Sequence, residues 1–188
     1  MQNRGADTHS IFRIPLSEVP AGHQVGYFAM GCYWGAEKLF WTTPGVSNTA
    51  VGFMGGSTEN PSYAETCTGK TGHTETVQVV FDPEKISYAQ LVQLFFENHD
   101  PTQGDRQGND IGSQYRSAIF TTSEDQSRTA HALLADYQQA LSAAGYGAIT
   151  TTIEPAEQFY YAELFHQQYL SKNPNGYCPV HATGVCLS

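Results

Sequence analysis

The alternation of hydrophobic and polar positions changes period several times along the chain, and each change marks an element. Residues 25–30 (VGYFAM) are a short apolar run, which predicts a buried strand. Gly31 punctuates it. Trp34, Lys38 and Trp41 then recur at helical spacing, predicting a short helix over 33–41. Residues 46–53 read as a second strand, ended by Gly55 and Gly56. A third strand is expected over 76–81 (TVQVVF), which is rich in β-branched residues and stops at Asp82-Pro83. Ser87 and Gln90 have capping-box spacing ahead of the apolar face of Leu91, Leu94 and Phe95, so a helix should run to about Asn98. Residues 115–121 (YRSAIFT) predict a strand. Ser123 and Gln126 repeat the capping-box spacing and open a helix to about Ala144. A short strand over 150–153 and a final helix over 159–170 complete the pattern.

Two long polar stretches, 54–73 and 99–114, interrupt this order, and loops of that length inside a domain usually carry function. Residues 1–24 read as an extended lead-in that packs loosely, 25–172 as a catalytic α+β domain, and 173–188 as a flexible Gly/Pro-containing tail. The sequence of strands and helices matches a split βαβ pattern. The expected fold is therefore a ferredoxin-like two-layer α+β sandwich, with a small mixed β-sheet, helices on one face and the long loops at one end.

Charge narrows the possible ligands. Eighteen acidic residues against nine basic ones give a formal net charge of −9, with no Lys/Arg cluster, which argues against nucleic acid as the main ligand. The apolar fraction, 40%, supplies a core without gathering into a membrane span of about 18 residues. The first residues hold no apolar signal-peptide stretch, so a cytoplasmic protein is expected. Four cysteines are too few for a disulfide scaffold at this length. In a reducing compartment they are catalytic, metal-binding or simply buried.

Cys32 is the most informative of them. It stands where a strand gives way to a helix, and a thiol there feels the positive helix end, which should lower its pKa. Tyr33 and Trp34 follow at once and could wall an apolar pocket, or simply pack in the core. Glu75 enters the third strand, where desolvation would keep a carboxyl group protonated; a solvated strand-end carboxylate is the plainer alternative. Tyr63 lies in the first long loop and Asp110 in the second, with Tyr115 at its exit. Cys178 and Cys186 lie in the tail, where mobile thiols could reach one another and Cys32. Cys178-Pro-Val-His181 also has the form C-x2-H, but a zinc site needs about four ligands and no second such pair exists. Cys67 matches no assigned role and is expected to be a bystander. Two rival readings are a cysteine hydrolase pairing Cys32 with His73 or His166, and a metal-binding or redox-sensing module built on Cys178, His181 and Cys186.

Gly31-Cys32-Tyr33-Trp34-Gly35 resembles the G-C-F-W-G motif of the A-type peptide methionine sulfoxide reductases. The resemblance continues through Gly55-Gly56, Gly72-His73-Thr74-Glu75, Glu97-Asn98-His99-Asp100-Pro101, Asn109-Asp110-Ile111-Gly112-Ser113-Gln114-Tyr115-Arg116-Ser117, His166-Gln167-Gln168-Tyr169-Leu170 and Asn175-Gly176-Tyr177-Cys178. Two departures stand out: Tyr33 replaces the usual Phe, and Met54 stands where a small residue is more common. The resemblance implies reduction of methionine sulfoxide, free or in proteins and of the S epimer, to methionine. It implies Cys32 as nucleophile, Glu75 as proton donor, and Tyr63, Tyr115 and Asp110 as groups that bind or polarise the oxygen. Tyr33 and Trp34 would line the methyl pocket. A Cys32 sulfenic acid would pass to a Cys32–Cys178 disulfide and then a Cys178–Cys186 disulfide, recycled by thioredoxin. No metal or other cofactor is implied, and a monomer is expected.

Overall fold

Strand β3 (Thr74–Phe81) is buried at every residue, and its place in the sheet explains why. In the computed structural model, which describes residues 4–179 and 181–187, this strand lies between β1 (Gln24–Met30) and β2 (Val46–Met54), antiparallel to both. Helix α1 (Tyr33–Trp41) joins β1 to β2. The first long loop holds a short helix, α2 (Tyr63–Thr66), and the chain after β3 forms α3 (Tyr88–Glu97). The second long loop holds a small hairpin of β4 (Arg106–Gln107) and β5 (Asp110–Ile111), then a 3-10 turn over Ser113–Tyr115. After these come β6 (Ser117–Thr121), α4 (Glu124–Ala143), β7 (Thr152–Pro155), β8 (Tyr160–Tyr161) and α5 (Tyr169–Lys172).

The main sheet has the order β7-β6-β1-β3-β2-β8. All its pairs are antiparallel except β6 with β7, so the fold is α+β with a mixed sheet. The crossovers through α1 and α3 each skip one strand, which brings the end of β1, the start of β3 and the start of β6 to the same edge.

Both faces of the sheet are covered. Alternate residues of β3, Val77, Val79 and Phe81, join Phe28, Phe40, Leu91 and Phe95 in the core under the helices. The opposite face is capped by Leu16, Ala50, Met54, Phe120 and Phe159. The described part of the lead-in is therefore anchored rather than loose. Leu16 is fully buried, and the Asn48 amide donates to the carbonyls of Pro15, Leu16 and Glu18.

The Ser87 capping box is complete, with both reciprocal bonds present. The second one is only half formed: Ser123 accepts from Gln126 N, but the Gln126 amide bonds the backbone of Thr122 and Val25 instead. The helix expected over 159–170 is mostly absent. Tyr160 and Tyr161 pair with Phe53 and Gly52 at the sheet edge. The Gln167 side chain bonds Val51 N and Val51 O, so backbone groups left open by β2 draw this segment out of a helix.

Candidate active site

Cys32 is the N-cap of α1 and makes no side-chain cap hydrogen bond. Gly31 before it has φ 93°, and a Cβ there would meet the Gln107 side chain at 2.7 Å. This glycine lets the Gln107 side chain of the hairpin pack against the backbone just before the thiol. The expected lowering of the thiol pKa is not met in the reduced form. Burial pushes Cys32 well up and Glu75 adds to the rise, while the amides of Trp34 and Gly35 oppose it.

Glu75 shares its face of β3 with Val77 and Val79, so its carboxyl group projects into the α1 layer. It is 2% exposed. Its Oε2 accepts a hydrogen bond from Tyr33 N at 2.9 Å. Burial pushes its pKa up to about 8; the Tyr33 amide opposes that shift and Asp110 reinforces it. At neutral pH the acid is mostly protonated, and a neutral Glu75 no longer repels a thiolate at Cys32.

Tyr63 and Tyr115 are brought together at this carboxyl. Burial raises both phenols, and each is raised further by Glu75. Asp110 lies on β5, its Oδ1 accepting from the Tyr177 hydroxyl at 3.3 Å; burial also raises its pKa. Trp34 is held on two sides. Its ring stacks on Tyr169 with centroids 3.8 Å apart, and its Nε1 donates to His166 Nδ1 at 3.2 Å. Tyr33 contributes less wall than expected. Its ring is buried against Phe53 and His166, and its hydroxyl has no partner among the described residues.

The four cysteines are free thiols. Cys32 and Cys178 both line a cleft of about 230 Å³, with Met30, Leu39, Asn98 and Pro179. The tail around Cys186 is seated rather than loose. The Tyr137 hydroxyl bonds Thr183 and Val185 O, and Leu187 N donates to Glu97. Among the described residues, no three His, Cys, Asp or Glu side chains are grouped closely enough to hold a metal ion. His73 is occupied by Gly56 N and Thr58 O, and His166 by Trp34, so neither is poised as the base a hydrolase would need.

A family model described as peptide methionine sulfoxide reductase matches residues 24–185. The chain belongs to this family. A peptide methionine sulfoxide reductase MsrA from Pectobacterium atrosepticum is 57% identical over 183 residues, which is 97% of this chain and 86% of the relative. The methionine sulfoxide reductase A structure of Corynebacterium diphtheriae matches with a TM-score of 0.86 and 51% identity, over 96% of this chain and 88% of that one. Mxr1 of Saccharomyces cerevisiae in reduced form matches with a TM-score of 0.78 and 35% identity, over 86% and 92%.

In this peptide methionine sulfoxide reductase, three neighbours of the pocket have no pocket role in the sequence reading, where His166 figures only as the partner of Cys32 in a rival hydrolase and Tyr169 only within a motif. His166 packs 4.5 Å from the Tyr63 ring, and Glu163 accepts from Tyr63 N at 3.3 Å. Tyr169 backs Trp34. Helical periodicity groups all three in one element over 159–170, which conceals their separate positions. Cys67, expected to be a bystander, caps α2 beside Tyr63, close enough for each to shift the other's ionisation. Among the described residues no helix is long and apolar enough to cross a membrane.

Proposed function

We infer that this chain reduces methionine sulfoxide, free or within polypeptides, to methionine. One observation carries the reading: a buried, mostly neutral Glu75 is fixed to the backbone N–H of the residue that follows Cys32. A sulfoxide oxygen leaves poorly unless it is protonated. The reaction therefore needs a sulfur nucleophile and an acid held together in an apolar site.

The Cys32 thiolate attacks the substrate sulfur while Glu75 gives its proton to the oxygen. The oxygen then transfers to Cys32, leaving methionine and a Cys32 sulfenic acid; the thiol proton lost at the start restores Glu75. Tyr63, Tyr115 and Asp110 orient the oxygen, and Trp34 covers the S-methyl group. Cys178 shares the cleft with Cys32, and its thiolate displaces hydroxide from the sulfenic acid, giving water and a Cys32–Cys178 disulfide. The Cys186 thiolate then attacks Cys178 and releases Cys32, after its segment leaves Tyr137 and Glu97. A thioredoxin dithiol in the cytoplasm restores the tail pair. The S epimer is the expected substrate.

The test is single-turnover reduction of each sulfoxide epimer by the reduced protein, followed by recycling with a thioredoxin system. Methionine should form from the S epimer alone, and Cys32→Ser should form none while remaining folded. Persistent reduction by that variant would overturn the reading.

A further inference from the structure

A second carboxyl group is buried in the same layer as that of Glu75, at Glu37. Glu37 lies on α1 and is fully buried. Every hydrogen-bonding group that reaches its carboxyl is a donor. The Thr49 hydroxyl donates to Oε1 at 2.9 Å, Gln168 Nε2 to Oε1 at 2.8 Å, and Gln168 N to Oε2 at 2.8 Å. Thr49 can give its proton away because it takes one from His9 Nε2, at 2.9 Å. His9 can supply it because its Nδ1 accepts from Ile11 N and Phe12 N, each at 3.1 Å. The accounting closes for a neutral His9 and an ionised Glu37.

The charged and titratable groups around Glu37 come from two directions. His9, from the lead-in, is kept neutral by burial, its pKa pushed down to about 4. Lys172, on α5, supplies a nearby positive charge while its ammonium group bonds Leu164 O and Gln167 O. Burial pushes Glu37 up to about 7, and the donors from Gln168 and Thr49 oppose that rise.

Gln168 is the link to the site. Its backbone is left-handed, with φ 47° and ψ 43°, a conformation that a residue with a side chain holds only when its surroundings impose it. It stands between His166, which accepts from the Trp34 indole, and Tyr169, which stacks on the same indole. We propose that Glu37 is a positioning residue for sulfoxide binding: by gripping both amides of Gln168 it fixes the turn that holds Trp34 between His166 and Tyr169. This inference rests on the functional reading above.

The test uses Glu37→Gln, which keeps the shape but turns one acceptor into a donor facing donors. Substrate KM is expected to rise about tenfold while the single-turnover rate at saturation stays within about threefold, the pattern of lost binding rather than lost chemistry. In a Trp41→Phe background, where Trp34 is the only tryptophan, its emission should shift to the red. In a Trp34→Ala background, Glu37→Gln should raise KM no further.

An unchanged KM, or independent effects in the double variant, would overturn the inference. If Glu37→Gln fails to fold, Gln168→Gly tests the same link. It accepts the left-handed backbone and removes the side-chain grip, so KM should rise again, and an unchanged KM there would also overturn it. Failure of the wild-type chain to reduce sulfoxide would strike the functional reading alone, since the Trp34 emission shift still reports the grip of Glu37.

Discussion

Tyr33 N–H points at Glu75 Oε2 across 2.9 Å, so the residue that follows Cys32 also holds the Glu75 carboxyl group. Cys32 caps α1 and Glu75 sits on β3, so this one hydrogen bond ties the start of the helix to the buried strand. Burial raises both groups, and the tie opposes that rise at Glu75. The amide keeps the carboxyl from rising further, and the neutral carboxyl leaves room for a negative sulfur.

Glu75→Gln should slow single-turnover reduction by roughly 10²- to 10⁴-fold, the usual scale for general acid catalysis. The wild-type rate should fall as pH rises through about 8, where Glu75 loses its proton, and the variant should lack that limb. Rapid-quench rates between pH 6 and 9 would settle it, and an unchanged rate in the variant would remove Glu75 from the acid role.

The same group gives stability a sign. Folding raises the Glu75 pKa from 4.5 to about 8, so the folded state holds the proton more tightly than the unfolded one. The stabilisation from a neutral Glu75 is full below 4.5 and is lost as pH rises to about 8. Urea midpoints across this window should decline more steeply for wild type than for Glu75→Gln; parallel declines would contradict the assignment.

Loss of Cys178 and Cys186 together, as serines, should leave one equivalent of methionine per chain and abolish thioredoxin-driven turnover. Stoichiometric and steady-state assays on the same preparation separate the two. Full steady-state turnover would rule out the tail as the route out for the disulfide.

Cys67→Ser should leave turnover within about twofold, because a hydroxyl can replace the thiol beside Tyr63 and solvent reaches the position. A loss above tenfold in a folded variant would give Cys67 a part in the chemistry.

Tyr33→Phe should stabilise the protein by about 1 kcal/mol, since it removes a buried hydroxyl without a partner among the described residues. Chemical denaturation would register this as a higher midpoint; a lower one would mean that the hydroxyl is satisfied. Gly31→Ala should do the reverse and cost about 1–3 kcal/mol through its backbone angle alone.

What could be read from the chain alone was local. The strand at 76–81, the Ser87 capping box and the strand-to-helix step at Cys32 each depend on neighbours within a few residues, and the structure has all three. Glu75 was legible because the apolar run behind it implied burial. The segment 159–170 was not, because its conformation is fixed by distant partners. Val51 captures Gln167 across 116 residues, and Trp34 captures His166 across 132. Gln126 illustrates the same limit. Its spacing suggested a reciprocal cap, yet its amide is taken by Val25, 101 residues away. Glu37 gave no signal at all, since a lone carboxylate on a short helix reads as a solvated face until the donors gathered around it are seen.

Strand β3, enclosed on both sides, has a consequence for how such a protein can diversify. A substitution in its interior meets tightly packed atoms above and below, with no water to absorb the misfit. Tolerance for new side chains lies instead on the solvated faces, such as that of α4, where only Gln126, Ala130, Tyr137 and Leu141 are buried. The central strand can stay fixed while the solvated outer faces drift.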